Sequence, residues 1–149
     1  MVRNIITKLA IAIIALTISA CDPPFSESNT WNIYNNTEQI LIYQINDFKF
    51  NYIYPGEYSK VYVYNDIDVA NGEKRDVNRF FIDKPDYESL SIYLRNQLEA
   101  PVKVWKRSDK DTKGKQFFNP KSWYLRDNIS NDRSEYGDWI FEITSEDLK

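Results

Sequence analysis

Residues 90–106 read LSIYLRNQLEAPVKVWK, and this stretch decides the fold class. Side chains alternate between apolar and polar at 90–94, and again at 102–106, as in strands with one buried face. Pro101 lies between the two runs, at a point where a chain can bend back on itself. We therefore predict a pair of adjacent antiparallel strands.

The same period of two recurs along most of the chain. It predicts further strands at 31–34, 40–45, 48–52, 58–64 and 139–143, a short strand at 79–82, an irregular connection at 117–136 and a helical turn at 145–148. Many short strands separated by turns predict an all-β fold, an immunoglobulin-like antiparallel β-sandwich of about seven strands. We expect it to form a single domain over residues 31–149.

The alternation also predicts which side chains face the core. The expected inward sets are Leu41/Tyr43/Ile45, Val61/Val63, Leu90/Ile92/Leu94, Val102/Val104 and Trp139/Phe141/Ile143. The outward faces are then expected to carry Tyr62, Tyr64, Tyr93 and Trp105, beside Arg95, Lys103 and Glu142.

The N-terminal segment, residues 1–20, has the pattern of a signal peptide. Arg3 and Lys8 supply positive charge, and residues 9–18 are mostly apolar. A run of this length is shorter than the roughly 20 apolar residues that a membrane-spanning helix needs. We predict a signal helix that is cleaved off.

The segment ends in Ile18-Ser19-Ala20-Cys21, an aliphatic residue and two small ones before the only cysteine of the chain. This motif resembles the lipobox of bacterial lipoproteins. The resemblance implies cleavage between Ala20 and Cys21, and attachment of lipid to the Cys21 sulfur. Residues 21–30, which include two prolines and several polar residues, are then expected to form the lipidated cysteine and a flexible tether.

The resemblance also implies a location in the cell envelope. Asp22 follows the cysteine, and in many enteric-type bacteria an aspartate there retains a lipoprotein in the inner membrane. Other lineages read acidic residues at this point as part of an export signal to the cell surface. The many Asn, Ile, Lys and Tyr residues suit the second group, so we predict the outer membrane, with the inner membrane as the alternative.

Composition excludes several classes of activity. The chain has no histidine and one cysteine, which removes Ser–His and Cys–His pairs and zinc sites built from His or Cys. The run DKDTKG at 109–114 departs from a calcium loop, because Lys113 and Pro120 occupy two ligand positions. We predict no metal, no cofactor and no enzymatic activity.

Charge argues against nucleic acid as a partner. Loss of Arg3 and Lys8 with the signal segment takes the formal net charge from −3 to about −5. The basic stretch at 103–115 is interrupted by Asp109 and Asp111, so we interpret it as a solvated loop.

Aromatic residues are the candidates for a binding role. Trp105, Trp123 and Tyr124 lie near the irregular segment and are expected to line one end of the sandwich, where rings can stack on sugars or contact a protein. We therefore predict a lipid-anchored, non-enzymatic module that binds a protein or glycan partner. The alternatives are a glycan-binding accessory protein for polysaccharide uptake and a lipoprotein that neutralises a toxin or enzyme.

The C-terminal third supports the same class. The run GKQFFN at 114–119, then Trp123, then WIFEITSED at 139–147 resembles small uncharacterised bacterial envelope lipoproteins with β-sandwich domains. This resemblance implies a fold and a location, and no activity.

Overall fold

The computed structural model describes residues 26–67, 76–131 and 134–149. In chain order its elements are β1 (Ser26–Asn36), β2 (Leu41–Ile45), β3 (Asn51–Ile53), β4 (Tyr58–Ile67), α1 (Asn78–Asp83), β5 (Ser89–Leu94), β6 (Lys103–Lys106), β7 (Tyr124–Asn131) and β8 (Ser134–Thr144). Short 3₁₀ turns cover Arg107–Asp109, Pro120–Ser122 and Ser145–Leu148. The predicted signal segment, the Ile18–Cys21 motif and Asp22 lie outside the described residues.

The strands form two sheets of four, so the predicted all-β sandwich is confirmed, with eight strands among the described residues instead of about seven. The first sheet has the order β4-β1-β8-β7 and the second has the order β3-β2-β5-β6. The second sheet is antiparallel throughout, and it contains the predicted pair β5–β6. In the first sheet β1 and β8 are parallel, from Ser26 opposite Ser134 to Asn36 opposite Thr144, which the sequence did not predict.

Strand β1 begins at Ser26, earlier than the predicted start of the domain at Trp31. Residues 26–30 pair with β4 on one side and with β8 on the other, so the prediction that they belong to a tether is wrong. Their polar composition indicated little burial. In the structure, hydrogen bonds to β4 and β8 satisfy the backbone of residues 26–30, and this pairing does not depend on the side chains.

An aromatic cluster fills the core between the sheets. Phe141 lies at its centre, with ring centroids of Trp105, Phe117 and Trp123 at 5.1, 5.2 and 5.5 Å. Aromatic pairs at such distances and tilts add to the free energy gained from burial. The Trp105 Nε1–H donates to the Lys115 carbonyl at 2.9 Å, and the Trp123 Nε1–H donates to the Phe117 carbonyl at 2.7 Å. Both indoles are therefore satisfied inside the protein.

The inward face of β6 is the opposite of the one predicted. Trp105 pairs with Leu90 and is buried, whereas Val104 pairs with Ser91 and is exposed. Leu90 and Ile92 face the core as predicted. The alternation predicted for β6 was correct. Which residues of β6 face the core is decided by its register with β5, and a shift of one residue in that register moves every side chain to the opposite face.

Strand β4 departs from the prediction for a different reason. The pairing of β1 with β4 is interrupted between Trp31 and Asn32, so that β4 carries one extra residue at this point. Such a bulge reverses the alternation beyond it. Tyr62 and Tyr64 consequently pack against the core, and Val63 is exposed, which corrects the predicted faces of all three.

Two predicted elements have a different type. Residues 79–82 lie in the helix α1, not in a strand, and Asp76 Oδ1 accepts a hydrogen bond from the Asn78 N–H at 2.8 Å where the helix begins. Residues 124–131, predicted as irregular, form β7 at the edge of the first sheet. The 3₁₀ turn at Ser145–Leu148 confirms the predicted C-terminal helical turn.

Asp147 fixes this C-terminal turn, and its ionisation should affect stability. Its carboxylate accepts from the Thr144 N–H at 2.8 Å and from Lys115 Nζ at 2.8 Å. Burial alone would raise the pKa of Asp147, but these hydrogen bonds outweigh it and the pKa is lowered. The resulting stabilisation is complete above the ordinary pKa of an aspartate, and it is lost as the pH falls through the folded-state pKa.

We expect Asp147→Asn to cost about 1 kcal/mol at pH 7, as loss of a helix cap does. The cost should shrink at about pH 3, below the ordinary pKa of an aspartate, because the carboxyl group of the unfolded chain is then largely protonated and part of the stabilisation is lost. Urea unfolding at the two pH values measures the difference. Asp111→Asn is the control, since Asp111 is exposed and pairs only with its neighbour Lys110. An equal cost for Asp147→Asn at both pH values would contradict this account.

In the part of the chain that the structure describes, no helix is both long and apolar enough to cross a bilayer.

Candidate functional site

The structure places the three predicted binding aromatics in different environments. Trp105 is 2% exposed and Trp123 is 6% exposed, so the prediction that these two indoles line a binding surface is wrong. Bulky aromatic rings are as well suited to a core as to a ligand, and the sequence pattern does not separate the two uses. Tyr124 is exposed, on the outer face of the first sheet.

The side chains around Tyr124 already contact one another. Tyr34 and Tyr58 stack with their centroids 4.4 Å apart, and the Arg126 guanidinium lies 4.0 Å above the Tyr58 ring. Arg126 also pairs with Asp138 at 3.1 Å. The pKa of Tyr124 is raised, first by burial and then by the nearby charge of Glu142. A ligand at this face would have to displace existing contacts.

A different group of aromatics is exposed beside β3. Phe48, Phe50, Tyr52 and Tyr54 occupy alternate positions, and each is about half exposed. We call these four residues the β3 strip. Ile53, between the two tyrosines, is buried in the core. The chain therefore presents four half-exposed rings at alternate positions along this edge of the second sheet, with Tyr52 in β3, Phe48 and Phe50 before the strand and Tyr54 after it.

The β3 strip is supported by packing beneath and beside it. Phe50 contacts Tyr93 edge to face, with ring centroids 5.3 Å apart. Tyr52 and Tyr93 pair with Ile42 from either side, and Ile42 is buried although it lies on the outer face of the sheet. The Tyr93 hydroxyl donates to Gln44 at 3.3 Å. Rings held in this way lose little conformational entropy when they bind a ligand.

A groove lies next to the two tyrosines of the strip. One cavity of about 540 Å³ is lined by Gln39, Ile40, Arg95 and Asn96. A second of about 280 Å³ is lined by Ile40, Tyr52, Tyr54 and Arg95. Because the two share Ile40 and Arg95, we treat them as one site, the Arg95 groove. Its volume lies in the range of small-ligand sites.

Buried Asn35 holds the end of the sandwich at which this groove opens. Its Nδ2 donates to the carbonyls of Gln39 and Ile53 at 2.8 and 2.9 Å. Its Oδ1 accepts from the Thr37 N–H at 3.0 Å and from the Thr37 hydroxyl at 2.7 Å. One amide side chain thus joins the turn after β1 to the end of β3, which positions Gln39 relative to Tyr54.

A further groove opens on the other side of the strip, between β3 and β4. This cavity of about 280 Å³ is lined by Tyr43, Ile45, Phe48, Lys49, Asn51, Lys60, Val61 and Tyr87. Burial raises the pKa of Tyr43, whose hydroxyl lies 3.0 Å from Ser59 Oγ. The charged residues that line it are Lys49 and Lys60.

The charged residues that line the cavities around the strip have one sign. Arg95, Lys49 and Lys60 are the charged residues among those that line the three cavities described here. Within the described residues, none of the three forms an ion pair. The whole chain is acidic, with a formal net charge of −3, so the cationic lining of these cavities departs from the average.

The site could have been found in the sequence. Residues 48–54 read FKFNYIY, which puts four aromatics on one side of an extended chain and Lys, Asn and Ile on the other. The alternation by itself predicts a strand, and the exposure of all four rings is what indicates a binding surface. Arg95, Gln39 and Asn96 carry no such signal, because only the sheet brings them near β3.

The arrangement suits recognition. Half-exposed rings provide flat apolar area, and a guanidinium and two amides beside them can donate several hydrogen bonds. No family model matches this chain, and no curated protein or solved structure matches it either.

Proposed function

We propose that this protein is a lipid-anchored, non-enzymatic binding module of the bacterial cell envelope, and that it binds its partner through the β3 strip and the Arg95 groove. The observation that carries the binding role is the set of four half-exposed aromatics in and beside the edge strand β3. Interfaces are enriched in such rings, because they bury large areas at low entropic cost.

The anchor rests on the Ile18–Cys21 motif and on its position after an apolar segment. Two or three acyl chains, at about 0.8 kcal/mol per buried methylene, would hold the protein firmly on a membrane. The proposals of an outer-membrane location and of a role without catalysis rest on the sequence.

An anchor at Cys21 would orient the site away from the membrane. Residues 22–25 separate Cys21 from the first residue of β1 and can span at most about 18 Å. Strand β1 has 11 residues, so its two ends lie about 33 Å apart. Gln39 and Ile53 are bonded to Asn35, near the C-terminal end of β1. The Arg95 groove would therefore lie at the end of the domain remote from the proposed anchor.

Photocrosslinking in living cells tests the binding surface. Tyr52 is replaced by the photoreactive p-benzoylphenylalanine, which inserts into C–H bonds of proteins and polysaccharides alike. We expect a discrete crosslinked species from position 52, and expect Tyr54→Ala in the same chain to reduce its yield severalfold. Tyr136, which is equally exposed on the first sheet, is the control position.

Two results would contradict the proposal. The first is a species that forms equally well from positions 52 and 136. The second is a yield from position 52 that does not change with Tyr54→Ala. Either would place the partner elsewhere on the domain.

A further inference from the structure

We infer that the ligand of the β3 strip and the Arg95 groove is an acidic polysaccharide, one whose sugar rings carry carboxylates. This inference rests on the proposed function and names the class of its ligand. It joins three features of the site: two adjacent exposed tyrosines, a neighbouring guanidinium with two amides, and the absence of negative charge from the described cavity linings.

The tyrosines suit a sugar ring. Tyr52 and Tyr54 are both about half exposed and both line the same cavity. A pyranose ring has an apolar face of C–H groups that can lie flat on such a ring and bury apolar surface. Alternate residues on one side of a strand are spaced by about 6.7 Å, so successive rings can contact successive parts of one chain.

Arg95 selects for an anionic sugar. It lines both cavities of the groove, and within the described residues no carboxylate pairs with it. A guanidinium can donate two parallel hydrogen bonds to a carboxylate, a geometry that a neutral sugar cannot match. The protein is acidic as a whole and would repel an anionic polymer elsewhere on its surface.

The remaining polar groups fit hydroxyls. Gln39 and Asn96 line the groove beside Arg95, and each amide can both donate and accept a hydrogen bond. Sugar hydroxyls require this mixed capacity. A peptide partner would instead be expected to add main-chain hydrogen bonds along β3, but this strand has only three residues.

Lys49 and Lys60 extend the site to a longer polymer. They line the groove on the other side of the strip, so a chain that follows the four rings passes from Arg95 towards these ammonium groups. A disaccharide would reach only one set of cations. A longer carboxylated oligomer would reach both and gain affinity from the second set.

The test uses oligogalacturonate and its methyl ester, which share the sugar ring and differ in charge. Isothermal titration calorimetry on the lipidated mature protein, residues 21–149, in detergent should show the acid binding at least tenfold more tightly than the ester. Arg95→Gln should reduce affinity for the acid about tenfold, the usual scale for a lost charged hydrogen bond, and leave affinity for the ester unchanged. Lys113→Gln removes the same charge at an exposed position outside the site and should change neither.

Two further comparisons vary the length of the saccharide and the type of polymer. Lys49→Gln combined with Lys60→Gln should weaken binding of the longer oligomer and leave that of the disaccharide unchanged. An oligo-dT of matched charge should bind at least tenfold more weakly than the oligogalacturonate, because the site is built for sugar rings as well as for charge.

Several results would overturn the inference. Equal affinity for the acid and the ester would show that Arg95 does not select for a carboxylate. Equal affinity for oligo-dT and the oligogalacturonate would show that the site does not select for sugar rings. If neither saccharide binds while the crosslink from position 52 persists and depends on Tyr54, the ligand is of another class and the proposed function stands. If that crosslink is also absent, both proposals fail.

Discussion

Phe80→Ala is expected to lower the free energy of unfolding by about 3–5 kcal/mol, the usual cost of truncating a buried phenylalanine. Phe80 is fully buried, although it belongs to a helix of only six residues. The ring contacts six other aromatics at centroid distances of 5.0 to 6.2 Å, namely Trp31, Tyr62, Phe81, Tyr87, Phe117 and Trp123. Its loss leaves a cavity where α1 meets both the first sheet and the segment before β7.

A loss of this size is a large share of the total free energy of unfolding. Domains of this length are stable by about 5–15 kcal/mol, so the variant should unfold at a much lower urea concentration. Hydrogen bonds hold the same helix in place: Trp31 Nε1 donates to the Val77 carbonyl at 3.2 Å, and the Tyr62 hydroxyl donates to Asp83. Burial and that second bond raise the pKa of Tyr62 to about 12.

Ile82→Ala is the matched control, because Ile82 lies in the same helix and is 64% exposed. It should change stability by no more than about 0.5 kcal/mol. Urea unfolding followed by tryptophan fluorescence measures both variants. If Phe80→Ala were as mild as Ile82→Ala, α1 would not be docked on the core as described.

Cys21→Ser should abolish lipid attachment completely, since the chain has no other cysteine. Labelling with an alkyne fatty acid should disappear, and the protein should lose the membrane association that acyl chains confer. Metabolic labelling followed by fractionation of membranes measures both effects. Persistent labelling would disprove the lipobox interpretation.

Asp22→Ser provides the control, because it keeps the cysteine and changes only the residue after it. Labelling should be unchanged. Separation of inner and outer membranes on a density gradient then reports which membrane this position specifies. A protein that stays in the outer membrane with either residue would show that Asp22 does not retain it in the inner membrane.

The architecture was largely predictable because it depends on a local signal. A period of two at 41–45, 90–94 and 139–143 reflects strands with one buried face, and Leu41, Ile92 and Phe141 are indeed buried. Turns also depend on local chemistry: Pro55-Gly56 is typical of a type II turn, and Gly56 has the positive φ that such a turn requires.

Errors occurred where distant pairing decides the outcome. Trp105 faces inward because β6 pairs with β5 in one particular register, and Val63 faces outward because of a bulge opposite β1. Residues 79–82 form a helix because Phe80 can then enter the aromatic cluster, which a short apolar run does not disclose. The groove beside the strip was missed for a related reason, since Tyr54 follows β3 and Arg95 follows β5, two strands that are distant in sequence.

The sequence by itself determined that the chain is an all-β domain, and it supplied the lipobox resemblance at Cys21. These inferences depend on neighbours along the chain, where alternation and spacing are directly visible. The tertiary structure alone decided which aromatics are core and which are surface: it buried Trp105 and Trp123 and left Tyr52 and Tyr54 exposed beside Arg95. Burial depends on which strands pair and in what register, and those contacts join residues far apart in sequence.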